Sequence, residues 1–148
     1  MIKEKKTITF ICAANYCRSP VAEALLINKC DNLLKVNSAG INPIISAGMD
    51  PRSISFLKEK NISPKLHNPK KVDKNLFNAS NLVFAMDTNI LMQLNKTFKH
   101  DRNKIKLFTQ KQGKINIMDP YRLSDKKYKK VMEDINTVIE IIDWEEFS

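Results

Sequence analysis

The sequence predicts an α/β fold of one domain, with a four-stranded parallel sheet and helices on both of its faces. Four short segments rich in β-branched and aromatic residues alternate along the chain with longer segments of helical pattern. This alternation implies right-handed β-α-β units, which build a parallel sheet covered on both sides. The 148 residues suit a single domain, which we assign to residues 1–148.

The first half of the chain predicts two strands and two helices. A strand is predicted over Thr7 to Ile11 and a second over Leu33 to Ser38. Between them, Ser19 and Pro20 predict a helix that runs to Cys30, with Ser19 as N-cap and Pro20 in the first helical position.

Asp50 and Pro51 predict the start of the next helix by the same capping logic. Asn61 tolerates a left-handed backbone and is expected to end that helix. A short helix is predicted over residues 72–77, and the third strand follows over Asn81 to Met86.

The last part of the chain predicts two helices and one strand. Asp87 is expected to cap a helix, and residues 105–108 form the fourth strand. A loop then leads through Gly113 to Asp119, and Ser124 opens a long final helix. One face of this helix is apolar, formed by Val131, Ile135, Val138, Ile139 and Ile142.

Charge and composition exclude several classes of protein. No apolar run reaches the roughly 20 residues of a membrane-spanning helix, so we expect no membrane insertion. The apolar stretch from Thr7 to Ala14 imitates a signal peptide, but a strand explains it better. The formal net charge is +9, yet the lysines are scattered and no zinc-finger or RNA-binding pattern accompanies them. We therefore expect no nucleic-acid partner.

The three cysteines, Cys12, Cys17 and Cys30, form an odd and sparse set that suits the reducing cytoplasm. Cys12 and Arg18 stand at the two ends of the loop that follows the first strand. In parallel sheets, ligands bind beyond the carboxyl ends of strands. A loop of this length can fold around a tetrahedral anion with its N–H groups pointing inward, and an arginine can grip two oxygens. A cysteine in this field is favoured as the nucleophilic thiolate.

The segment FICAANYCRSPVAEALL resembles the active-site segment of the low-molecular-weight protein tyrosine phosphatases, whose pattern is Cys-x5-Arg-Ser-Pro. The resemblance covers essentially the whole chain. It extends to the motifs Ser38-Ala39-Gly40, Asp50-Pro51-Arg52, Met86-Asp87 and Asp119-Pro120-Tyr121.

The resemblance implies a phosphatase that acts on phosphotyrosine in proteins, with no metal and no cofactor. Cys12 attacks phosphorus to form a cysteinyl-phosphate, Arg18 clamps the phosphate, and Asp119 serves as general acid and then as general base. Ser19 is expected to hydrogen-bond the Cys12 sulfur as well as to cap its helix. The phosphate-binding loop also comprises Ala13, Ala14, Asn15, Tyr16, Cys17 and Ser19. We expect a monomer in the cytoplasm.

Further residues receive supporting roles. Asn15 tolerates the left-handed backbone that turns the loop inward, and the resemblance ties it to Ser38 and His67. Tyr16 and Tyr121 are expected to wall the cleft for an aromatic ring. Cys17 is a candidate redox partner that forms a reversible disulfide with Cys12. Asp87 is explained by helix capping alone.

Three positions depart from the family pattern. Ala14 stands where the family usually has Gly, which would cost on the order of 1 kcal/mol if φ were positive there. Arg122 replaces a second aromatic residue after Tyr121, which predicts a preference for acidic residues beside the target. The arginine that usually follows the position of His67 is absent.

Other functions remain open on the same scaffold. An arsenate reductase coupled to thioredoxin needs later cysteines, which are absent after Cys30, whereas a glutaredoxin-coupled form does not. A phosphocarrier domain of a sugar-transport system also holds phosphate on cysteine, but Asp119 would hydrolyse it. A non-catalytic phosphate- or nucleic-acid-binding module predicts that Cys12 and Asp119 are dispensable.

Overall fold

A computed structural model describes residues 4–113 and 117–148. Its four strands are β1 (Thr7–Cys12), β2 (Lys35–Gly40), β3 (Leu82–Ala85) and β4 (Ile105–Leu107). They form one parallel sheet in the order β2-β1-β3-β4, which confirms the predicted fold class. Residues 114–116 of the loop predicted before Asp119 lie outside the described residues.

Helices cover both faces of the sheet, as predicted. They are α1 (Ser19–Cys30), α2 (Pro51–Glu59), α3 (Lys74–Ala79), α4 (Thr88–Thr97) and α5 (Asp125–Ile141). Two short 3₁₀ helices span Arg102–Lys104 and Trp144–Phe147. In the described ranges, no helix is long and apolar enough to cross a membrane.

Side chains of β1 alternate between two hydrophobic clusters, since successive residues of a strand point to opposite faces. Phe10 lies with α1, α2 and α5, where it packs against Phe84, Phe108 and Trp144. Ile11 lies on the opposite face with the apolar residues of α3 and α4. The sheet is therefore buried on both faces, and a functional site is expected at the carboxyl ends of its strands.

Local signals placed most element boundaries correctly. The side chains of Asp50, Asp87 and Ser124 cap their helices, and Asn61 has φ +60° just beyond α2. The second strand was predicted two residues early, because β2 continues to Gly40, where it pairs with the end of β1.

The short helix was also predicted too early. Asp73 accepts a hydrogen bond from the Leu76 N–H, and this cap starts α3 at Lys74 rather than at Val72.

Candidate active site

The loop between β1 and α1, residues 13–18, is held from outside through its carbonyl groups. The carbonyls of Cys12, Ala13 and Ala14 accept from backbone N–H groups of the segment after β2, at 2.8–3.2 Å. Tyr16 O accepts from Asp50 N at 3.1 Å, and Cys17 O accepts from the Ser53 hydroxyl at 3.0 Å. The loop is thereby fixed by neighbouring backbone and by α2.

The N–H groups of the same loop, unlike its carbonyls, have no hydrogen-bond partner within residues 4–113 and 117–148, neither a backbone nor a side-chain acceptor. Since buried N–H groups require acceptors, this ring of donors at the N-terminus of α1 is suited to bind an anion. This is the loop predicted to bind phosphate, and that role stays a prediction.

Cys12 lies at the end of β1 and is 2% exposed. Its Sγ is 2.9 Å from the Ser19 hydroxyl oxygen, which also accepts from Asn15 Nδ2 at 2.9 Å. Because Asn15 donates to this oxygen, the single Ser19 hydroxyl proton has two acceptors within reach, Cys12 Sγ at 2.9 Å and Ala39 O at 3.4 Å, and the sulfur is the nearer.

The expectation that Ser19 caps α1 is wrong. Arg18 is the N-cap residue, and no side chain caps the helix. The Ser19 side chain is turned instead towards Cys12, where it bonds the sulfur. Pro20 still lies in the first turn and needs no partner for its nitrogen.

Asn15 adopts the predicted left-handed conformation, with φ +53°. Its Nδ2 also donates to Ser38 Oγ at 2.9 Å, and its Oδ1 accepts from Lys70 N at 3.0 Å. His67 Nε2 donates to Asn15 O at 2.7 Å. The structure therefore brings Asn15, Ser38 and His67 together, as the sequence predicted.

Two small residues permit the close packing of this loop. A Cβ on Gly40 would lie 2.7 Å from Ala13 O and 2.8 Å from Asn15 N, so a side chain has no room there. Ala14 does not have a positive φ, and its substitution for glycine brings no backbone strain.

Glu23 of α1 supports Ser38, which donates to Glu23 Oε1 at 2.8 Å. Burial raises the pKa of Glu23 above its ordinary value, while the Ser38 hydrogen bond and the nearby basic residues His67, Lys70 and Lys65 oppose that rise. The folded state thus binds a proton on Glu23 more tightly than the unfolded chain does. Ionised Glu23 costs stability, and this cost grows as the pH rises through its pKa.

We therefore expect Glu23→Gln to raise Tm near neutral pH, since glutamine keeps an acceptor for Ser38 without the buried charge. The advantage should shrink as the pH falls and Glu23 of the wild type becomes protonated. Thermal unfolding followed by circular dichroism across the acid range measures both effects. Glu59→Gln, at a surface pair with Lys129, is the control that should change little. A Glu23→Gln protein that is less stable at every pH contradicts this expectation.

Arg18 is 2% exposed, and its Nη1 donates to Asp87 Oδ2 at 2.6 Å and to Ile117 O at 2.8 Å. Its Nε and Nη2 make no hydrogen bond within the part of the chain that the structure describes, so these donors are available to an oxyanion. Asp87 thus has two tasks, because its Oδ1 also caps α4.

Sequence reasoning assigned Asp87 to capping alone and missed its ion pair with Arg18. A signal was present, since Asp87 follows β3, the immediate neighbour of β1 in the sheet. Carboxyl ends of adjacent parallel strands lie side by side.

Asp119 is exposed, and its Oδ1 accepts from Tyr121 N at 3.1 Å. The segment of residues 117–121 contacts the loop of residues 13–18 at both of its ends. Ile117 O accepts from Arg18, and the Tyr121 ring meets the Tyr16 ring with centroids 6.0 Å apart. Tyr16 and Tyr121 therefore form one aromatic wall, and its role in receiving an aromatic ring stays a prediction.

Other apolar side chains next to the loop and to Asp119 are also partly exposed. Ile44, whose N–H donates to Ala14 O, is 42% exposed, and Met118 is 48% exposed. Together with the two tyrosines they give the site an apolar rim.

Cys17 is buried, and its Sγ lies 3.8 Å from Asp50 Oδ2. Burial raises its pKa to about 12, helped by the negative charge of Asp50 and opposed by a hydrogen bond with Tyr128. Cys17 is consequently a neutral thiol in the resting protein. All three cysteines are free, and the disulfide between Cys12 and Cys17 stays a prediction.

Comparison with known proteins agrees with this geometry. The family model described as low molecular weight phosphotyrosine protein phosphatase matches residues 7–142. The chain is 32% identical over 124 residues to the low molecular weight protein-tyrosine-phosphatase Wzb of Escherichia coli strain K12, with 84% of each chain covered.

Solved structures are similar over nearly the whole fold. Vibrio vulnificus Wzb in complex with benzylphosphonate has a TM-score of 0.85 and 26% identity, covering 93% of this chain and 96% of that one. The YwlE arginine phosphatase from Geobacillus stearothermophilus has a TM-score of 0.84 and 27% identity, covering 91% and 88%.

Proposed function

The chain belongs to the low molecular weight phosphotyrosine protein phosphatase family, and from this premise we propose that it hydrolyses phosphotyrosine in proteins through a cysteinyl-phosphate on Cys12. The observation that carries the proposal is the loop of residues 13–18, whose carbonyls are bonded outward while its N–H groups are not used by the protein. Such a ring holds a phosphoryl group directly above the Cys12 sulfur. The mechanism needs no metal and no cofactor.

In the first step, the Cys12 thiolate attacks phosphorus and an S–P bond forms as the P–O bond to the phenol breaks. The phenolic oxygen takes the electron pair and a proton from Asp119. Arg18 and the loop N–H groups bind the equatorial oxygens, where charge is stabilised in the transition state. Asp87 and Ile117 O hold the guanidinium in place.

In the second step, a water molecule gives a proton to Asp119 while its oxygen bonds to phosphorus. The S–P bond breaks, and the electron pair returns to Cys12 Sγ. The Ser19 hydroxyl, 2.9 Å from Sγ, makes the sulfur a better leaving group. Inorganic phosphate then leaves, and the enzyme is restored.

The apolar rim supports an aryl phosphate as the substrate. Tyr16 and Tyr121 meet edge to face, and an aromatic ring packs well against such a wall. The benzylphosphonate complex of the Vibrio protein is in line with this choice. Arg122 adds positive charge beside the wall and favours acidic residues next to the phosphotyrosine. The three free thiols suit a reaction in the cytoplasm.

Replacement of Asp119 tests the proposed reaction. We expect Asp119→Ala to lower kcat for a phosphotyrosine peptide by about 10²–10⁴-fold, the usual contribution of general acid–base catalysis. Phosphate release is measured with reduced protein and a chelator. Asp101→Ala, at an exposed aspartate before the 3₁₀ helix of Arg102–Lys104, is the control that should keep wild-type activity.

Two results would contradict the proposal. One is full activity of Asp119→Ala. The other is a reduced wild-type protein that releases no phosphate, in which case arsenate reduction with glutaredoxin and stoichiometric phosphate transfer separate the reductase from the carrier. Phosphoarginine, tested in parallel, should be hydrolysed far more slowly than the peptide, because it lacks the aromatic ring that packs against Tyr16 and Tyr121.

A further inference from the structure

Arg52, in the first turn of α2, touches neither the loop of residues 13–18 nor Asp119, yet it connects them. Its Nη2 donates to Tyr121 O at 2.9 Å and its Nη1 to Leu123 O at 3.0 Å. Tyr121 N in turn donates to Asp119 Oδ1 at 3.1 Å. Arg52 therefore holds two carbonyls of the segment after Asp119, those of Tyr121 and Leu123, and the N–H of the same Tyr121 supports the carboxylate.

The other side of the guanidinium is fixed by three groups. Nε and Nη2 lie 3.2 Å from Asp50 Oδ1 and Oδ2, a two-point ion pair with a carboxylate that is 4% exposed. The plane lies over the buried ring of Tyr128, 4.0 Å from its centroid. Nη1 also lies 3.7 Å from the exposed Asp125 Oδ1.

Asp50 completes the connection to the loop of residues 13–18. Its N–H donates to Tyr16 O at 3.1 Å, and the hydroxyl of Ser53, in the first turn of α2, donates to Cys17 O. A continuous series of contacts thus runs from the loop through Asp50 and Arg52 to the support of Asp119. A planar guanidinium with five donors can serve the carboxylate and both carbonyls at once, which an ammonium cannot.

We propose that Arg52 is a positioning residue for the general acid: it fixes the segment of Asp119 relative to Cys12. The inference rests on the proposed role of Asp119. Since misplacement of a reacting group by about 1 Å can cost 10²-fold, release of this segment should lower the rate of the step that needs the acid. Binding of phosphate by the loop and by Arg18 should not change.

The test compares two substrates whose leaving groups differ in their need for a proton. Phenol leaves only with a proton, whereas dinitrophenol leaves without one, so loss of the acid affects phenyl phosphate far more than dinitrophenyl phosphate. We expect Arg52→Ala and Arg52→Lys to lower kcat/KM for phenyl phosphate, which reports the first step alone, by about 10- to 100-fold, and to leave kcat/KM for dinitrophenyl phosphate nearly unchanged. The comparison uses kcat/KM because the second step, in which Asp119 is the base, is the same for both substrates. Asp119→Ala is the reference for this selective loss, and Arg102→Ala is the control arginine.

A double-mutant cycle removes the remaining ambiguity. If Arg52 acts only through Asp119, Arg52→Ala should have no further effect on phenyl phosphate in the Asp119→Ala background. Equal losses on both substrates, or losses that multiply in the double variant, would overturn the inference while the proposed function stands. Equal losses for Asp119→Ala itself would overturn the acid assignment and the inference with it.

Two variants control for loss of folding by matching the charges of Asp50 and Arg52. Arg52→Ala leaves the Asp50 carboxylate buried without its partner, which destabilises a protein. Arg52→Lys keeps a cation beside Asp50, and Asp50→Asn with Arg52→Gln removes both charges. Circular dichroism identifies the variants that fold. Any folded variant tests the role of Arg52, because it either loses more activity on phenyl phosphate than on dinitrophenyl phosphate or does not.

Discussion

Replacing Cys12 by serine is expected to lower kcat for aryl phosphates by more than about 10⁴-fold, the scale seen when an enzyme loses its covalent nucleophile. The hydroxyl keeps the shape of the site and the contact with Ser19, but it is far less nucleophilic than a thiolate. Phosphate release from para-nitrophenyl phosphate, with reductant and chelator, measures the loss.

The chain offers matched controls for this experiment. Cys30→Ser changes the same atoms at the end of α1, away from the loop, and should keep wild-type activity. Cys17→Ser tests the neutral thiol of the loop and should retain turnover under reducing conditions. Substantial activity in a folded Cys12→Ser protein would show that sulfur is not the nucleophile.

Arg18→Ala should be nearly as damaging, with a loss of about 10³–10⁵-fold in kcat/KM, the value of an arginine that stabilises phosphoryl transfer. The variant removes the buried cation and leaves the Asp87 carboxylate facing the phosphate site. Repulsion between that carboxylate and the phosphate dianion adds to the loss. Arg18→Lys should recover little, because an ammonium cannot grip two oxygens and Asp87 together.

Asp87→Asn separates the two parts of this effect. Asparagine is a good N-cap, so α4 should remain intact while the ion pair with Arg18 is lost. We expect a smaller loss than in Arg18→Ala, and the double variant Arg18→Ala with Asp87→Asn should recover part of the phosphate affinity. If kcat/KM of the Arg18→Ala enzyme stays within roughly tenfold of the wild-type value, the role of the arginine as phosphate clamp is contradicted.

Features encoded within a few residues could be predicted from the sequence. Asn15 and Asn61 have positive φ because asparagine tolerates the left-handed region, and Asp50 and Asp87 cap the helices that they precede. The site of Cys12 follows from its position after a buried strand. These are local properties, and their signals are contained in the residues themselves.

Features that depend on partners distant in sequence were missed or misassigned. The Ser19 side chain contacts Cys12 Sγ and accepts from Asn15 Nδ2, and it does not cap α1. Asp87 pairs with Arg18 across 69 positions, and Arg52 reaches Leu123 across 71. A local capping rule explains Asp87 fully and therefore conceals its second partner. Which of several possible partners a polar side chain takes is decided by the packed sheet.

The way in which the loop of residues 13–18 is held has a consequence for how such enzymes diversify. Ala14 and Tyr16 are fixed through their main-chain carbonyls, so the cradle does not depend on their side chains. Mutation can alter those side chains, and with them the choice of substrate, without rebuilding the anion site. The strict constraint falls instead on Gly40, in a different strand, where any side chain would collide with the loop. Substrate choice and the shape of the anion site therefore depend on different residues.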